Sequence, residues 1–149
     1  MASREYRSVS LNTPVSKVMS VRPVVANQFH NLSQVMELFA QFPIHHLPIV
    51  DGQERIIGII SSNDLPKTVL RLCNKSEKIT MDLEQIDRAV NLTDIMTKNP
   101  VTIGPDDNLG DAVKIFAEHK FSSLPVVKDG KLIGILSIKD VVANLAGQL

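Results

Sequence analysis

Two short polar segments carry the side chains of this chain that are best suited to binding chemistry. In each, a serine is followed three residues later by an aspartate: Ser61 precedes Asp64, and Ser137 precedes Asp140. Both segments follow an apolar run that predicts a strand, and a helix is predicted after each of them. The free N–H groups of a helix N-terminus attract anions such as phosphate, and a carboxylate three residues on can accept hydrogen bonds from a ribose diol.

The same residues also have a purely structural interpretation. A serine at the N-cap and an acid at the third helical position form a capping box, which satisfies backbone N–H groups without any ligand. The two interpretations are compatible, because a capped helix can still present its first turn to a cleft. The residues alone leave both open.

Catalytic and metal-binding alternatives have less support in the sequence. His45 and His46 are adjacent, so their side chains point to opposite faces of a strand, and no cysteine or third histidine lies at metal-ligand spacing. No metal site is therefore predicted. The sequence also contains no Walker loop, no H-E-x-x-H and no Ser-His-Asp order. We do not expect an enzyme.

The composition is that of an ordinary soluble globular protein, with 44% hydrophobic and 21% charged residues in a chain of 149. The 16 Lys and Arg residues equal the 16 Asp and Glu residues, and no long basic run is present, which disfavours nucleic-acid binding. The chain has one cysteine, its start lacks an apolar signal-peptide core, and no apolar run approaches the ~20 residues that span a bilayer. These features predict a cytoplasmic protein without a membrane segment.

The chain contains an internal repeat. Val15–Met19 aligns with Leu92–Met96 at a shift of 77 residues (92 − 15). The same shift carries Leu47-Pro48 onto Leu124-Pro125, and after one net deletion Asp64 aligns with Asp140. So many matches in one register indicate a duplicated unit.

Each copy predicts the order βαββα. After a short extended segment near Pro23–Val25 or Pro100–Ile103, Asn31 and Asn108 are the predicted N-caps of amphipathic helices. The apolar stripes of these helices are Leu32, Val35, Met36, Phe39 and Ala40 in the first copy, and Leu109, Ala112, Val113, Phe116 and Ala117 in the second. Two strands follow in each copy, Leu47–Val50 with Arg55–Ile60 and Leu124–Val127 with Leu132–Leu136. Asp51-Gly52 and Asp129-Gly130 predict the hairpins that join them.

The predicted strands are apolar on both faces, so a lone copy would leave much of its sheet in water. We therefore expect an α+β fold in which the two copies pack sheet to sheet. The connector at 74–91 is ambiguous, because Ile79, Met81 and Leu83 alternate as in a strand, whereas Leu83, Ile86 and Val90 fit a helix. We predict a loop followed by a short helix.

The order of motifs resembles the cystathionine-β-synthase (CBS) domain, present as a tandem pair. Each copy reads M-x-x-x-P-V, then an amphipathic helix, then h-L-P-h-V, a hairpin and h-I-G-h-h-S-x-x-D, where h is apolar. The resemblance implies an α/β-type CBS fold with pseudo-twofold symmetry. Its first motif would span residues 12–72, its connector 73–88 and its second motif 89–147, together forming one module.

The resemblance also implies a ligand. Proteins similar to this bind adenosine compounds, such as AMP, ADP, ATP or S-adenosylmethionine, in two clefts lined by both motifs, and the aspartate of S-x-x-D holds the ribose. Carried over, one cleft would place Asp140 at the ribose, Ser137 and Ser123 near phosphate, and Met19, Val24, Ile44 and His45 around the base. The mirror cleft would place Asp64 at the ribose, Ser61 and His46 near phosphate, and Met96, Val101, Phe121 and Ser122 around the base. No cofactor is expected in addition to such a ligand.

The sequence departs from the family at one position. Relatives that bind phosphate well often have an arginine just before the Leu-Pro pair, where this chain has His46 and Ser123. An imidazole is a weaker anion partner than a guanidinium, and its charge depends on pH. We therefore expect the Asp64 cleft to be the better phosphate site and to favour a monophosphate, with an affinity near micromolar or about −8 kcal/mol.

These expectations describe a regulatory module that senses adenine nucleotides. The alternative is a structural dimerisation or interaction module whose clefts stay empty. Similar modules pair into dimers through their helices, so the resemblance implies a homodimer, with the apolar faces of Leu65–Leu72 and Val141–Leu145 as its seams. We also expect an effector protein as a partner. Neither nucleic acid nor membrane is an expected partner.

Overall fold

The computed structural model describes residues 10–76 and 81–147. In chain order the elements are a 3₁₀ turn (Val15–Lys17), β1 (Ser20–Val21), β2 (Ala26–Asn27), α1 (Leu32–Gln41), β3 (His46–Val50), β4 (Ile56–Ser61), α2 (Asp64–Ser76), α3 (Leu83–Ala89), α4 (Leu92–Ile95), β5 (Thr97–Lys98), α5 (Leu109–Glu118), β6 (Ser123–Lys128), β7 (Lys131–Ser137) and α6 (Ile138–Leu145). The predicted α+β class and the βαββα order of the two copies are confirmed.

The chain divides into two compact units. The central unit is Val24–Pro100, and the terminal unit combines the chain up to Pro23 with Val101 onward. Each unit has its own sheet and its own apolar core.

The sheet of the central unit has the order β2-β3-β4-β5. β2 runs parallel to β3, while β4 is antiparallel to both β3 and β5. The core residues come from this sheet and from α1, α2, α3 and α4; they are Ala26, Leu32, Val35, Leu47, Ile49, Ile60, Leu65, Ile86, Val90 and Leu92.

The sheet of the terminal unit has the order β1-β7-β6, and all its pairings are antiparallel. A parallel bridge joins Ile103 to Val126 beyond β6. The core contains Val15, Val18, Ile103, Leu109, Ala112, Leu124, Val126, Leu136 and Val141. Both cores are aliphatic, in keeping with an aromatic content of 4%.

The units do not coincide with the copies of the repeat. The first segment of each copy belongs to the unit that contains the β-hairpin of the other copy. β1 pairs with β7, and β5 pairs with β4. Backbone hydrogen bonds fix the N-terminal segment further: the Val15 N–H donates to Asp107 O over 2.8 Å, and the Leu109 N–H donates to Thr13 O over 2.9 Å.

Glycine at the centre of β4 and β7 permits this exchange. A Cβ atom added at Gly134 would lie 2.6 Å from Met19 Sδ and 2.9 Å from Ser20 O. At Gly58 an added Cβ would collide with the Met96 side chain. The glycine of the I-G motif therefore leaves room for the methionine of the other copy.

The predicted helix caps are confirmed. Asn31 and Asn108 both form complete capping boxes, in which their side chains accept from the N–H groups of Gln34 and Asp111 over 2.9 Å. The predicted stripes are buried or half-buried except at their last positions, where the prediction is wrong. Ala40 and Ala117 are exposed, because the helices end one residue later and that turn lies outside the core.

The two predicted hairpins are both present, with different turns. Asp129 and Gly130 form a two-residue turn with φ of 51° and 79°, as a type I′ turn requires. In the first hairpin five residues, 51–55, separate β3 from β4, and Glu54 has the positive φ of 63°. In the connector, α3 confirms the predicted short helix, while Ile79 lies outside the described residues.

The part of the chain that the structure describes contains no helix long and apolar enough to cross a lipid bilayer.

Candidate functional site

The two strand–helix junctions hold the serine and aspartate side chains singled out above. At the end of β7, Ser137 is the N-cap of α6: its Oγ accepts from the Asp140 N–H over 3.0 Å, and Asp140 Oδ2 accepts from the Ser137 N–H over 3.2 Å. At the end of β4, the Ser61 N–H donates to Asp64 Oδ2 over 3.1 Å, and α2 begins at Asp64 itself. The capping-box interpretation is thus confirmed in full at Ser137.

Each aspartate is held by one oxygen only. Oδ2 of both Asp64 and Asp140 is bonded to the strand end, and both residues are half-buried. Within residues 10–76 and 81–147, Oδ1 of either carboxylate accepts no hydrogen bond. A fixed carboxylate with a free oxygen at the start of a helix can accept hydrogen bonds from a diol without having to reorient.

The first residue of the preceding strand lies directly across each junction. His46 is the register partner of Ser61, and Ser123 is the register partner of Ser137. The ladder continues beyond the strands in the same way, because the Ser62 N–H donates to His45 O over 2.8 Å and the Ile138 N–H donates to Ser122 O over 2.9 Å. The central unit therefore brings His46, Ser61 and Asp64 together, and the terminal unit brings Ser123, Ser137 and Asp140 together.

His46 is the titratable group opposite Ser61, and it is half-buried at the first position of β3. Its burial lowers the pKa of the imidazole, and the neighbouring His45 lowers that pKa further, while the Asp64 carboxylate raises it. The net effect is a pKa below the ordinary value of 6.5. The imidazole is therefore neutral near pH 7 and does not by itself supply a positive charge.

Ser123 occupies the corresponding place in the terminal unit. The residue is only 5% exposed, and among the described residues its Oγ has no hydrogen-bond partner. A buried hydroxyl without a partner costs about 1–3 kcal/mol. The buried Ser123 hydroxyl therefore lowers the stability of the terminal unit. A group that hydrogen-bonds to its Oγ would recover that free energy.

The methionines of the M-x-x-x-P-V motif are divided between the two units. Met96 is in the central unit with Asp64, and Met19 is in the terminal unit with Asp140; both are half-buried. The other residues predicted to contact each base belong to the unit that does not contain the aspartate of the same predicted cleft. Val24, Ile44 and His45 belong to the central unit, and Val101, Phe121 and Ser122 belong to the terminal unit.

An aromatic stack next to Ser122 escaped the sequence interpretation. The rings of His119 and Phe121 are stacked with centroids 4.9 Å apart and an interplanar angle of 17°, and Phe116 meets Phe121 edge-on at 6.5 Å. One face of the Phe121 ring is thus already covered. The H-x-F spacing at the end of α5 was the available signal, but the sequence alone does not show that the chain turns there.

Neither junction has the ligands of a metal site. In residues 10–76 and 81–147 no three side chains of His, Cys, Asp or Glu are grouped so that they could hold a metal ion. Hydroxyl, imidazole and carboxylate groups at a helix start are instead suited to hydrogen bonding with a sugar and an anion.

Comparison with known proteins gives relatives along nearly the whole chain. An uncharacterised protein of Methanocaldococcus jannaschii, MJ1426, is 27% identical over 146 residues, which cover 83% of this chain and 86% of that protein. The inosine-5′-monophosphate dehydrogenase of Aquifex aeolicus is 27% identical over 126 residues, and there the match spans only 23% of the enzyme. The activity of that enzyme thus belongs to a protein much longer than the matched region.

A solved structure agrees in fold. CBSX2, a CBS-pair protein of Arabidopsis thaliana whose crystal structure was determined in complex with AMP, is 29% identical with a TM-score of 0.74, over 91% of this chain and 97% of that one. The family model for the CBS domain matches twice, at residues 15–70 and 92–147. The chain therefore belongs to the CBS domain family, as a tandem pair of CBS domains.

Proposed function

We propose that this chain is a regulatory module that binds adenosine-containing nucleotides: AMP, ADP, ATP or S-adenosylmethionine. The observation that carries the proposal is that the same arrangement is built twice. In each unit a serine at a strand end positions an aspartate with a free carboxylate oxygen, and a hydrogen-bonding side chain lies across the ladder. The AMP complex of CBSX2 supports adenosine as the common part of the ligand.

In this proposal Asp64 and Asp140 accept hydrogen bonds from the ribose hydroxyls. Ser61 with His46, and Ser137 with Ser123, contact the phosphate or the group that replaces it. The half-buried Met96 belongs to the surroundings of the base in the Asp64 site, and the half-buried Met19 to those in the Asp140 site. The aspartates decide ribose recognition, because the second carboxylate oxygen of each can accept hydrogen bonds from the ribose diol.

The module is proposed to regulate rather than to catalyse. Its junctions combine carboxylates and hydroxyls with a neutral imidazole, and none of these groups is arranged as an activated nucleophile. A ligand regulates by binding one arrangement of the protein better than another, so occupancy can be passed to an effector protein in the cytoplasm.

Ligand-dependent thermal unfolding tests the proposal. AMP, ADP, ATP and S-adenosylmethionine are each added up to one hundred times the dissociation constant, where a ligand of the folded protein adds about 2.7 kcal/mol of stability. Asp64→Ala and Asp140→Ala should each remove one site. Asp111→Ala is the matched control, because Asp111 closes the capping box of α5 in the same way and has no proposed ligand contact.

The expected result is a stabilisation by at least one nucleotide that Asp111→Ala retains and the double variant Asp64→Ala/Asp140→Ala loses. Stabilisation that survives in the double variant would remove the aspartates from the site. If no compound stabilises the wild-type protein, the dimerisation alternative gains the support that the nucleotide proposal loses.

One observation favours dimerisation as a second function. Leu65 and Val141 of the predicted seams are buried in their own cores, but Leu70 on α2 is 63% exposed and Val142 on α6 is 58% exposed. We propose that these two side chains lie in a homodimer interface. Leu70→Glu and Val142→Glu should then yield monomers in analytical ultracentrifugation, and a wild-type protein that is monomeric at high concentration would exclude the interface.

A further inference from the structure

The two junctions differ chemically in the residue across the ladder from the serine. In the central unit this residue is His46, whose imidazole can take up a proton; in the terminal unit it is Ser123, whose hydroxyl cannot. In both junctions the N–H of the serine donates to Oδ2 of the aspartate three residues later.

The surroundings of His46 determine how it responds to an anion. Ser61 lies directly opposite it, Asp64 approaches from the start of α2, and His45 precedes it at the edge of the strand. His45 and Asp64 both act electrostatically on the imidazole, and they act in opposite directions. The free protein thus has a neutral imidazole beside one carboxylate, at the place where the proposed function puts the phosphate.

We propose that phosphate binding at the Asp64 junction is coupled to the uptake of one proton by His46, whereas binding at the Asp140 junction is not. This inference rests on the proposed nucleotide function and adds the regulation of one of its sites by pH. In such a module the occupancy of one site depends on both nucleotide concentration and pH, and the occupancy of the other depends on nucleotide concentration alone.

The physical reason is electrostatic. Before a nucleotide binds, burial and His45 hold the pKa of the His46 imidazole below its ordinary value, so little positive charge is present at neutral pH. A phosphate beside the ring favours the charged form and raises its pKa. The proton comes from the solvent and joins a ring nitrogen, and the imidazolium is then stabilised by the negative charges of the phosphate and of the Asp64 carboxylate. No other bond forms or breaks.

The sign of the pH dependence follows from these two states. Above the pKa of the bound form, neither state holds the proton and the affinity is constant. As the pH falls between the pKa of the bound form and that of the free form, binding takes up a proton and the affinity rises, by at most about tenfold per pH unit for one group. The Ser123 hydroxyl can form a hydrogen bond without taking up a proton, so the affinity at the Asp140 junction does not show the pH dependence that His46 causes.

Calorimetry with AMP at pH 7.5 measures the proposed uptake directly. Titrations in two buffers with different ionisation enthalpies give the number of protons taken up with the ligand. At this pH the AMP phosphate is itself almost fully ionised, because its second pKa is about 6. Adenosine, which has no phosphate, is the ligand control. We expect uptake of a fraction of a proton with AMP and none with adenosine.

Exchange variants at the position across from the serine sharpen the test. His46→Ser gives the central junction the side chain of the terminal one, and the proton uptake with AMP should vanish. Ser123→His makes the reverse change and should increase the uptake. His30→Gln removes a histidine from the turn before α1, outside both junctions, and should leave the uptake unchanged. Circular dichroism verifies that each variant is folded, and His46→Ser decides the question by itself if Ser123→His does not fold.

Three results would overturn the inference. The first is AMP binding without proton uptake at pH 7.5 and with the same affinity at pH 6.5; the second is an uptake that His46→Ser leaves unchanged. In both cases AMP still binds, so the proposed function stands and only the coupling fails. The third is a wild-type protein that binds neither AMP nor adenosine at either pH, and that result removes the proposed function as well.

Discussion

The central and terminal units are two versions of one design, and they differ where a ligand would contact them. In both, a leucine of the L-P pair is fully buried, a glycine in the following strand faces a methionine of the other copy, and a serine positions an aspartate. The residue across from that serine is a half-buried histidine in one unit and a buried serine in the other. The comparison teaches that the two sites can acquire different ligand preferences while the frame that holds them stays the same.

Shortening a core leucine should lower the free energy of unfolding equally in the two units. Leu47 and Leu124 occupy corresponding positions, and both have 0% exposure. We expect Leu47→Ala and Leu124→Ala each to lower the free energy of unfolding by about 3 kcal/mol, since such truncations lose transfer energy and leave a cavity. Denaturant titration followed by circular dichroism measures the change. Costs that differ by more than about 2 kcal/mol would show that the two cores are not equivalent.

The paired glycines should respond unequally. The three atoms nearest to a Cβ at Gly58 all belong to the Met96 side chain, which can move, whereas a Cβ at Gly134 also meets the backbone oxygen of Ser20. We expect Gly134→Ala to destabilise by about 2–3 kcal/mol and Gly58→Ala by about 1 kcal/mol, both through overpacking. The measurement is again the free energy of unfolding.

A second substitution separates the two causes. Met96→Ala should relieve most of the cost of Gly58→Ala, whereas Met19→Ala should relieve only part of the cost of Gly134→Ala, because the contact with Ser20 O remains. Full relief at Gly134 would mean that β1 moves freely and that the backbone contact is unimportant.

The fold was largely predictable because its signals are local. The caps Asn31 and Asn108, the Asp-Gly hairpins and the apolar stripes each depend on residues close in sequence. The exchange of β1 and β5 between the units was not predictable from such patterns. These strands have two residues each, too few for a period, and their partners are distant in sequence.

The candidate site was predictable to a smaller extent. Repetition showed that Ser61 and Asp64 correspond to Ser137 and Asp140. His46 and Ser123 were assigned only through the resemblance to the CBS domain, and the structure makes them the register partners of the two serines. The burial of the Ser123 hydroxyl depends on the packing around it, which no sequence pattern encodes. The stacking of His119 on Phe121 depends likewise on how the chain turns after α5.

The two serines of the terminal junction should therefore behave in opposite ways. Ser137 Oγ accepts the Asp140 N–H at the cap of α6, whereas Ser123 Oγ, in the described part of the protein, is buried without a partner. We expect Ser137→Ala to cost about 1 kcal/mol of stability, as losses of N-caps do. Ser123→Ala should be neutral or should stabilise by up to about 1 kcal/mol, since it removes an unsatisfied polar group.

Ligand binding gives the complementary result for this pair. Ser123→Ala should weaken nucleotide binding at the Asp140 junction even where it stabilises the free protein. If Ser123→Ala instead lowers the free energy of unfolding by more than about 1 kcal/mol, its hydroxyl has a structural role and the proposed contact with the ligand loses its support.

The smallest effects are expected in the hairpin turns, where the units also differ. Asp129 has a φ of 51° in a two-residue turn, a conformation that asparagine adopts more readily than aspartate. Asp129→Asn should therefore stabilise the protein by no more than about 0.5 kcal/mol.

Asp51 has a different role in the first hairpin. Its Oδ1 accepts from the N–H groups of Gln53 and Arg55 over 2.8 and 3.0 Å, and its Oδ2 accepts from Arg55 Nε over 2.8 Å.

The hydrogen bond from the Gln53 N–H, with the bonds and charge of Arg55, lowers the pKa of the Asp51 carboxyl against the opposing effect of burial. A lowered pKa means that the stabilisation is present above the unfolded value of about 3.9 and is lost as the pH falls through the folded value. Asp51→Asn should therefore melt below the wild-type protein at pH 7, and the two melting temperatures should converge in acid. A difference that persists unchanged in acid would assign the effect of Asp51 to the geometry of its turn and not to its charge.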